Sequence, residues 1–127
     1  MIVGIGVDVI DIERVARMVA KQGDRLLQRL LTEGEVAFVA ERAQSAQHVA
    51  VRLAAKEASY KALSGNQLAR HIGWQDTEVV SRLDDGAPEL RLHGRALERF
   101  TELGATHIHV SLSHSAQSAV AFVVVER

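Results

Sequence analysis

The stretch Arg52-Leu53-Ala54-Ala55-Lys56-Glu57-Ala58-Ser59-Tyr60-Lys61-Ala62-Leu63-Ser64-Gly65 decides the fold. Its alanines and leucines favour a helix, no proline interrupts it, and Gly65 stands where helices commonly end. We predict a central helix over about residues 47–64. At about 100° per residue, one side of this helix is mostly small and apolar, so its axis can lie close to a packing partner. That side carries Val51, Ala54, Ala55, Ala58 and Ala62.

The opposite side of the helix is polar, and it combines one carboxylate with three cations. It carries Arg52, Lys56, Glu57, Tyr60, Lys61 and Ser64. This composition suits a surface that holds phosphate groups and one metal ion. Glu57 and Lys61 are one turn apart, so a simple surface ion pair is the alternative.

Length and composition limit the possible functions. The chain has 127 residues, which fits a single domain over residues 1–127. The formal charge of −1 argues against a general affinity for nucleic acid, and the absence of cysteine excludes disulfides and thiolate metal sites. No apolar run is long enough for a membrane span, and no signal peptide is recognisable, so we expect a cytoplasmic protein without membrane contact.

Residues 2–10 alternate in the manner of a β-strand. Ile5, Val7 and Val9 share one face, whereas Gly4, Gly6 and Asp8 share the other. Two glycines on one face indicate close approach of a neighbour. The neighbour is either a ligand, with Asp8 projecting toward it, or a closely packed helix, and the sequence leaves both open.

A basic stripe follows the first strand. Asp11 is a suitable N-cap for a helix over about residues 12–22. The stripe consists of Arg14, Arg17, Met18, Lys21 and Arg25, in which Met18 is an adaptable apolar contact. It is either an ordinary solvated face or a docking surface for an acidic helix.

The remaining elements are predicted from capping, alternation and turn signals. Thr32 and Glu35 have capping-box spacing and predict a helix over 33–43. We expect a polar connection over 65–71, a hairpin of 74–83 and 89–93 around the turn at 84–88, a helix over 95–103, and final strands over 106–113 and 118–125.

Asp8 and Glu57 together fit a magnesium site. Such sites use one or two protein carboxylates, several waters and substrate phosphates. Arg52, Lys56 and Lys61 would then balance the phosphate charge. Zinc is disfavoured, because His107, His109 and His114 lack a further ligand at local spacing. His109 either lies beside a phosphate site or has no role.

Three motifs carry a family resemblance. They are Gly4-Ile5-Gly6-Val7-Asp8 followed by Arg14, then Arg52-Leu53-Ala54-Ala55-Lys56-Glu57-Ala58 followed by Lys61-Ala62, and finally His109-Val110-Ser111-Leu112-Ser113-His114. In this order they resemble the holo-acyl-carrier-protein synthases, the small bacterial type of 4′-phosphopantetheinyl transferase. The resemblance runs essentially from end to end.

This resemblance implies a reaction, a fold and a set of site residues. Coenzyme A would donate its phosphopantetheine arm to a serine hydroxyl of an apo acyl carrier protein, releasing adenosine 3′,5′-bisphosphate. Asp8 and Glu57 match the family's Mg²⁺ ligands, and Lys61 matches the family's catalytic lysine near the pyrophosphate. Arg52 and His109 match residues lining the coenzyme A site. Arg14, Met18, Lys21 and Arg25 fall where the carrier protein docks. The implied fold is α+β, with a mainly antiparallel sheet packed against a long central helix, in a homotrimer with active sites between subunits.

Two departures from the family pattern concern the nucleotide site. Many members have Gly-Thr-Gly after the lysine helix, where this chain has Ser64-Gly65-Asn66, and many have a basic residue where this chain has Ala87. Two other functions remain open. One is a non-catalytic module that binds an acidic partner through the basic stripe, and the other is a magnesium-dependent pyrophosphate hydrolase.

Overall fold

Six helices and five strands follow one another in the computed structural model, which describes residues 1–127. The helices are α1 (Ile12–Gln22), α2 (Asp24–Leu30), α3 (Glu33–Ala40), α4 (Ser45–Ala62), α5 (Gln67–Arg70) and α6 (Gly94–Glu102). The strands are β1 (Ile2–Asp11), β2 (Thr77–Ser81), β3 (Pro88–Leu92), β4 (His107–His114) and β5 (Ser118–Glu126). A single 3-10 turn over Trp74–Asp76 precedes β2.

The main sheet has three antiparallel strands in the order β1-β5-β4, and β2 and β3 form a separate antiparallel hairpin. The main sheet packs on α4, the longest helix. Register places Gly6 opposite Val123 and Val123 opposite Val110, so these positions share one face. Val123 is fully buried, which identifies this face as the one that meets the helix.

The two glycines of β1 allow the strand and α4 to lie in direct contact. A Cβ atom on Gly4 would lie 1.9 Å from the carbonyl oxygen of Ala62, and one on Gly6 would lie 1.8 Å from that of Ala58. These distances are far shorter than any non-bonded contact, so there is no room for a side chain at either position. The close neighbour of the glycine face is therefore a helix, which decides between the two alternatives that the sequence left open.

The central helix α4 joins two hydrophobic clusters. Its first half packs with α1, α2 and α3 around Val15, Leu26 and Val39. Its second half packs with the sheet and α6 around Val123 and Ala96. Burial of α4 on most of its circumference fixes the directions in which its remaining polar side chains project.

Most predicted elements are present, and the differences have local causes. The helix predicted over 33–43 ends at Ala40, and the central helix runs from Ser45 to Ala62. Helix α2 was not predicted, although Leu26 and Leu30 are one turn apart and buried. The expected polar connection contains α5, whose first turn is capped by the Asn66 side chain.

Trp74 was expected in a strand but lies in the 3-10 turn. There the backbone N–H of Gly73 donates to the Asp76 carboxylate, which closes the turn before β2 begins. Among the helices of this fold, none combines the length and the apolar character that crossing a membrane requires.

Candidate active site

The crossing of β1 and α4 brings Asp8 and Lys61 together. The Lys61 ammonium donates to Asp8 Oδ1 at 3.1 Å and to the carbonyl oxygen of Val7 at 2.9 Å. The Asp8 side chain is only 18% exposed, whereas that of Lys61 is half exposed. Residues separated by more than fifty positions thus form one contact, and the Gly6–Ala58 approach fixes the distance between their elements.

Glu57 lies close enough to Asp8 for the two charges to interact. Burial raises the pKa of the Glu57 carboxyl, and the negative charge of Asp8 raises it further, while Lys61 acts in the opposite direction. Two carboxylates that repel each other in a partly buried place are stabilised by a bound cation. The electrostatics of the site therefore fit a positively charged ligand.

Asp8 and Glu57 fit Mg²⁺ better than a metal held entirely by protein. The fold contains no group of three or more histidine or carboxylate side chains arranged to hold a metal. A pair of carboxylates suits Mg²⁺, which keeps several waters and takes further oxygens from substrate phosphates. Zinc sites, by contrast, take at least three protein ligands.

A groove of about 390 Å³ leads from the carboxylates to the first helix. Asp8 and Glu57 line it together with Arg14 and Met18. Met18 is partly buried and also packs on the core, so only part of its thioether is available for contact. The groove connects the candidate metal site with the beginning of the basic stripe.

The rest of the stripe is exposed. Arg14, Lys21 and Arg25 are all open to solvent. Arg17 differs from the others, because its guanidinium lies 3.2 Å from the carboxylate of Glu13. Its charge is thus partly compensated within α1, and the uncompensated part of the stripe is smaller than the sequence suggests.

Arg52 is buried and lies away from Lys61. Its guanidinium lies 4.2 Å from the ring centroid of Phe38 and donates to the carbonyl oxygen of His48 at 3.1 Å. Arg42 lies over the same ring at 3.8 Å. Arg52 and Lys61 are nine positions apart on α4, which corresponds to about 13.5 Å along the axis.

His109 lies on the sheet face that points away from α4. It is more than half exposed, and its Nε2 is 2.7 Å from Glu126 Oε1. Through Val124 it shares this face with Ile5 of β1. Within one chain, neither Arg52 nor His109 joins Asp8, Glu57 and Lys61, so their roles toward coenzyme A stay predictions.

Lys56 corrects one expectation from the sequence. Its ammonium was expected on the open side of α4, balancing phosphate charge, but it is buried 2.7 Å from Glu35 Oε1. The cause is the close packing of α3 and β2 on α4, which turns this position inward. Of the three cations predicted for the phosphate surface, only Lys61 is open beside the carboxylates.

Two residues near the site were missed by sequence reasoning. Trp74 lines the groove beside Glu57. Arg99 is buried on α6 and donates to the carbonyl oxygens of Leu63 and Ser64, which end α4. Neither residue has a local sequence signal, because each acts on a segment that is distant in the chain.

The departure at Ser64-Gly65-Asn66 is integrated into this end of α4. The Asn66 carboxamide accepts from the Ala69 N–H and donates to Glu102, which also pairs with Arg99. The segment after the lysine helix is therefore held by side chains of α6 and by its own cap.

Comparison with known proteins identifies the class to which this chain belongs. Residues 4–123 match the family model described as the 4′-phosphopantetheinyl transferase superfamily. The chain therefore belongs to the 4′-phosphopantetheinyl transferase superfamily. Within it, a holo-[acyl-carrier-protein] synthase of Geobacter sulfurreducens is 47% identical over 127 residues, which covers all of this chain and 99% of the relative.

Solved structures of holo-[acyl-carrier-protein] synthases have the same fold as this chain. The holo-[acyl-carrier-protein] synthase of Neisseria meningitidis superposes with a TM-score of 0.87 at 27% identity, over the full length of both chains. That of Bacillus anthracis, in complex with CoA (3′,5′-ADP), gives a TM-score of 0.77 at 35% identity and covers 99% of this chain and 97% of its own. These relatives confirm the predicted α+β fold and the predicted enzyme type, holo-[acyl-carrier-protein] synthase.

Proposed function

We propose that this enzyme transfers the 4′-phosphopantetheine arm of coenzyme A to a serine hydroxyl of an apo acyl carrier protein, with Mg²⁺ held by Asp8 and Glu57. The observation that carries the proposal is the meeting of Asp8, Glu57 and Lys61 at one end of a groove that begins the basic stripe. A cation site, a half-exposed ammonium and a protein-docking surface are then contiguous.

The chain's own residues supply positioning and charge. When bound, Mg²⁺ would neutralise the pyrophosphate, which phosphoryl transfer requires. Asp8 and Glu57 would fix the cation, and Lys61 is placed to stabilise the bisphosphate leaving group. The serine must lose a proton to attack, and Asp8 or a water molecule in the site would accept it.

Substitution of Lys61 tests whether this residue stabilises the bisphosphate leaving group. Lys61→Ala should mainly lower kcat, because the charge that Lys61 meets develops as the bisphosphate departs. We expect a loss on the order of 100-fold in kcat with a small change in KM for coenzyme A. Steady-state kinetics at saturating Mg²⁺ measure both. A variant in which only KM rises would show that Lys61 is a uniform binding group.

The acidic carrier protein is proposed to dock on Arg14, Met18, Lys21 and Arg25. Exposed ion pairs each contribute modestly, about 1 kcal/mol or less, but several together steer encounter. Reversing Arg14 and Lys21 to glutamate should raise KM for the carrier protein at least about tenfold at low salt and leave KM for coenzyme A nearly unchanged. Reversing Arg95 and Arg127 to glutamate is the matched control, since both residues are exposed and lie outside the stripe. Unaltered carrier-protein kinetics in the double variant would place docking elsewhere.

The proposed assembly is a homotrimer with active sites between subunits. One sheet face supports it, because four large apolar side chains stand about half exposed there: Ile5 at 55%, Val7 at 51%, Val9 at 62% and Phe122 at 43%. A contiguous apolar face of this kind is typical of an interface. Association through this face would also explain why His109 lies apart from Lys61 within one chain.

Phe122→Glu should separate the subunits, because it introduces a charge at the centre of the apolar face. Sedimentation should show monomers where the parent chain sediments as a trimer. Leu97→Glu is the control, since Leu97 is 48% exposed but lies on α6. If the Phe122→Glu variant still sediments as a trimer, the subunit interface must lie on another surface.

The function itself is tested by following adenosine 3′,5′-bisphosphate chromatographically. We expect release from coenzyme A only when Mg²⁺ and an apo carrier protein are both present. Release without carrier protein would indicate the hydrolase alternative, and binding of carrier protein without release would indicate the non-catalytic module. The proposal includes a cytoplasmic location, where the enzyme would meet both substrates.

A further inference from the structure

The buried ion pair between Glu35 and Lys56 has no part in the proposed chemistry. The exposed fraction of the side chain is 0% for Glu35 and 2% for Lys56. The Lys56 ammonium donates to Glu35 Oε1 at 2.7 Å and to the carbonyl oxygens of Trp74 and Thr77. An ammonium has three hydrogens, and all three are used. None is left for a substrate phosphate.

This ion pair joins four parts of the fold. Besides Lys56, the Glu35 carboxylate accepts the backbone N–H groups of Thr32 and Val79. Helix α3, helix α4, strand β2 and the turn at Trp74 thus meet at one point. Lys56 and Glu57 are consecutive on α4, about 100° apart, so fixing the direction of one also fixes the direction of the other.

Trp74 connects this buried pair with the site. Trp74 lines the groove with Asp8 and Glu57, and it also lines a second hollow of about 170 Å³ with Lys56, Glu57 and Tyr60. The carbonyl oxygen of the same residue is held by Lys56 at 2.9 Å. A shift of this turn would change the walls on both sides of Glu57.

A buried ion pair is an inefficient way to stabilise a core, because desolvation offsets much of the attraction. Burial also lowers the pKa of Lys56, against the opposing effect of Glu35. The advantage of a buried ion pair over apolar packing is that its hydrogen bonds are directional, since each bond fixes an angle as well as a distance.

We propose that Lys56, held by Glu35, is a positioning residue that fixes the Trp74 turn and the rotation of α4, so that Glu57 faces Asp8 between two set walls. It contacts neither substrate. The inference rests on the proposed function for the role of Glu57.

The test replaces the pair without leaving a buried charge, in the double variant Glu35→Leu with Lys56→Met. Trp74 is the only tryptophan, so intrinsic fluorescence reports on its surroundings alone. We expect a folded chain by circular dichroism, red-shifted emission and stronger acrylamide quenching. We expect kcat to fall on the order of 10- to 100-fold, with KM for coenzyme A within about threefold of the parent value. Glu98→Leu with Arg127→Met is the matched control, because both side chains are exposed and neither lines the groove or the hollow beside Glu57, and it should alter neither readout.

Two results would overturn the proposal. Unchanged fluorescence with unchanged kcat would show that the pair only stabilises the fold, and a large rise in KM for coenzyme A with unchanged fluorescence would show that Lys56 contacts substrate. If the double variant does not fold, Glu35→Gln combined with Lys56→Met keeps the shapes of both side chains, leaves no buried charge and gives the same comparison. A parent enzyme without transfer activity would refute the proposed function, while fluorescence would still decide whether the pair positions Trp74.

Discussion

Asp8→Asn and Glu57→Gln are each expected to reduce transfer at least about 1,000-fold, because each removes half of the negative charge that would hold Mg²⁺. The side chains keep their size, and neither is part of the buried core, so the chain should stay folded. Initial rates over a range of Mg²⁺ concentrations, together with thermal unfolding, measure both effects. Partial recovery at high Mg²⁺ would indicate weakened metal binding.

Asp11→Asn is the matched control for these two substitutions. Asp11 lines the same groove, and its side chain accepts from the Glu13 N–H as the N-cap of α1. Asparagine caps a helix about as well as aspartate, so activity and stability should hardly change. If Asp8→Asn or Glu57→Gln behaved like Asp11→Asn, the metal site would have to lie elsewhere.

Gly6→Ala is expected to be the most destabilising single methyl addition in β1. The new Cβ would lie 1.8 Å from the Ala58 carbonyl oxygen, which is helix backbone and cannot turn away. Strand and helix would have to separate, at a cost of about 3 kcal/mol or more in the free energy of unfolding. Separation would also displace Asp8 from Glu57, so any folded fraction should transfer slowly. Chemical denaturation and initial rates measure the two effects.

Gly73→Ala is the control for added volume. A Cβ there would be 3.8 Å from its nearest neighbour, and the backbone φ of −90° suits any residue. We expect a change in the free energy of unfolding below about 0.5 kcal/mol. Equal stability of the Gly6→Ala and Gly73→Ala chains would mean that β1 and α4 are not in the close contact described.

Local sequence patterns predicted the elements that depend on nearby residues. The Asp11 N-cap and the Thr32–Glu35 capping box need only a few neighbouring positions, and both are confirmed. The alternation of β1 predicted which residues share a face. It did not predict that α4 fills the space above Gly4 and Gly6, because a close neighbour of either kind demands the same glycines.

Local sequence patterns cannot predict contacts between residues that are distant in the chain. Lys56 was grouped with Lys61 because both lie on the polar side of the helix, yet α3 and β2 enclose the first and leave the second open. The Glu35 signal was that of a cap, and the same carboxylate also compensates Lys56. Trp74 and Arg99 act through backbone carbonyls, which leave no trace in side-chain periodicity.

The most direct measurement of the central claim is the mass of an apo acyl carrier protein after incubation with this enzyme, coenzyme A and Mg²⁺. With the parent enzyme, we predict that the mass of the carrier protein increases by one phosphopantetheine group. We predict no increase when a chelator is added, when the Glu57→Gln enzyme is used, or when the acceptor serine of the carrier protein is replaced by alanine. An unmodified carrier protein with the parent enzyme, or equal modification by Glu57→Gln, would contradict the account.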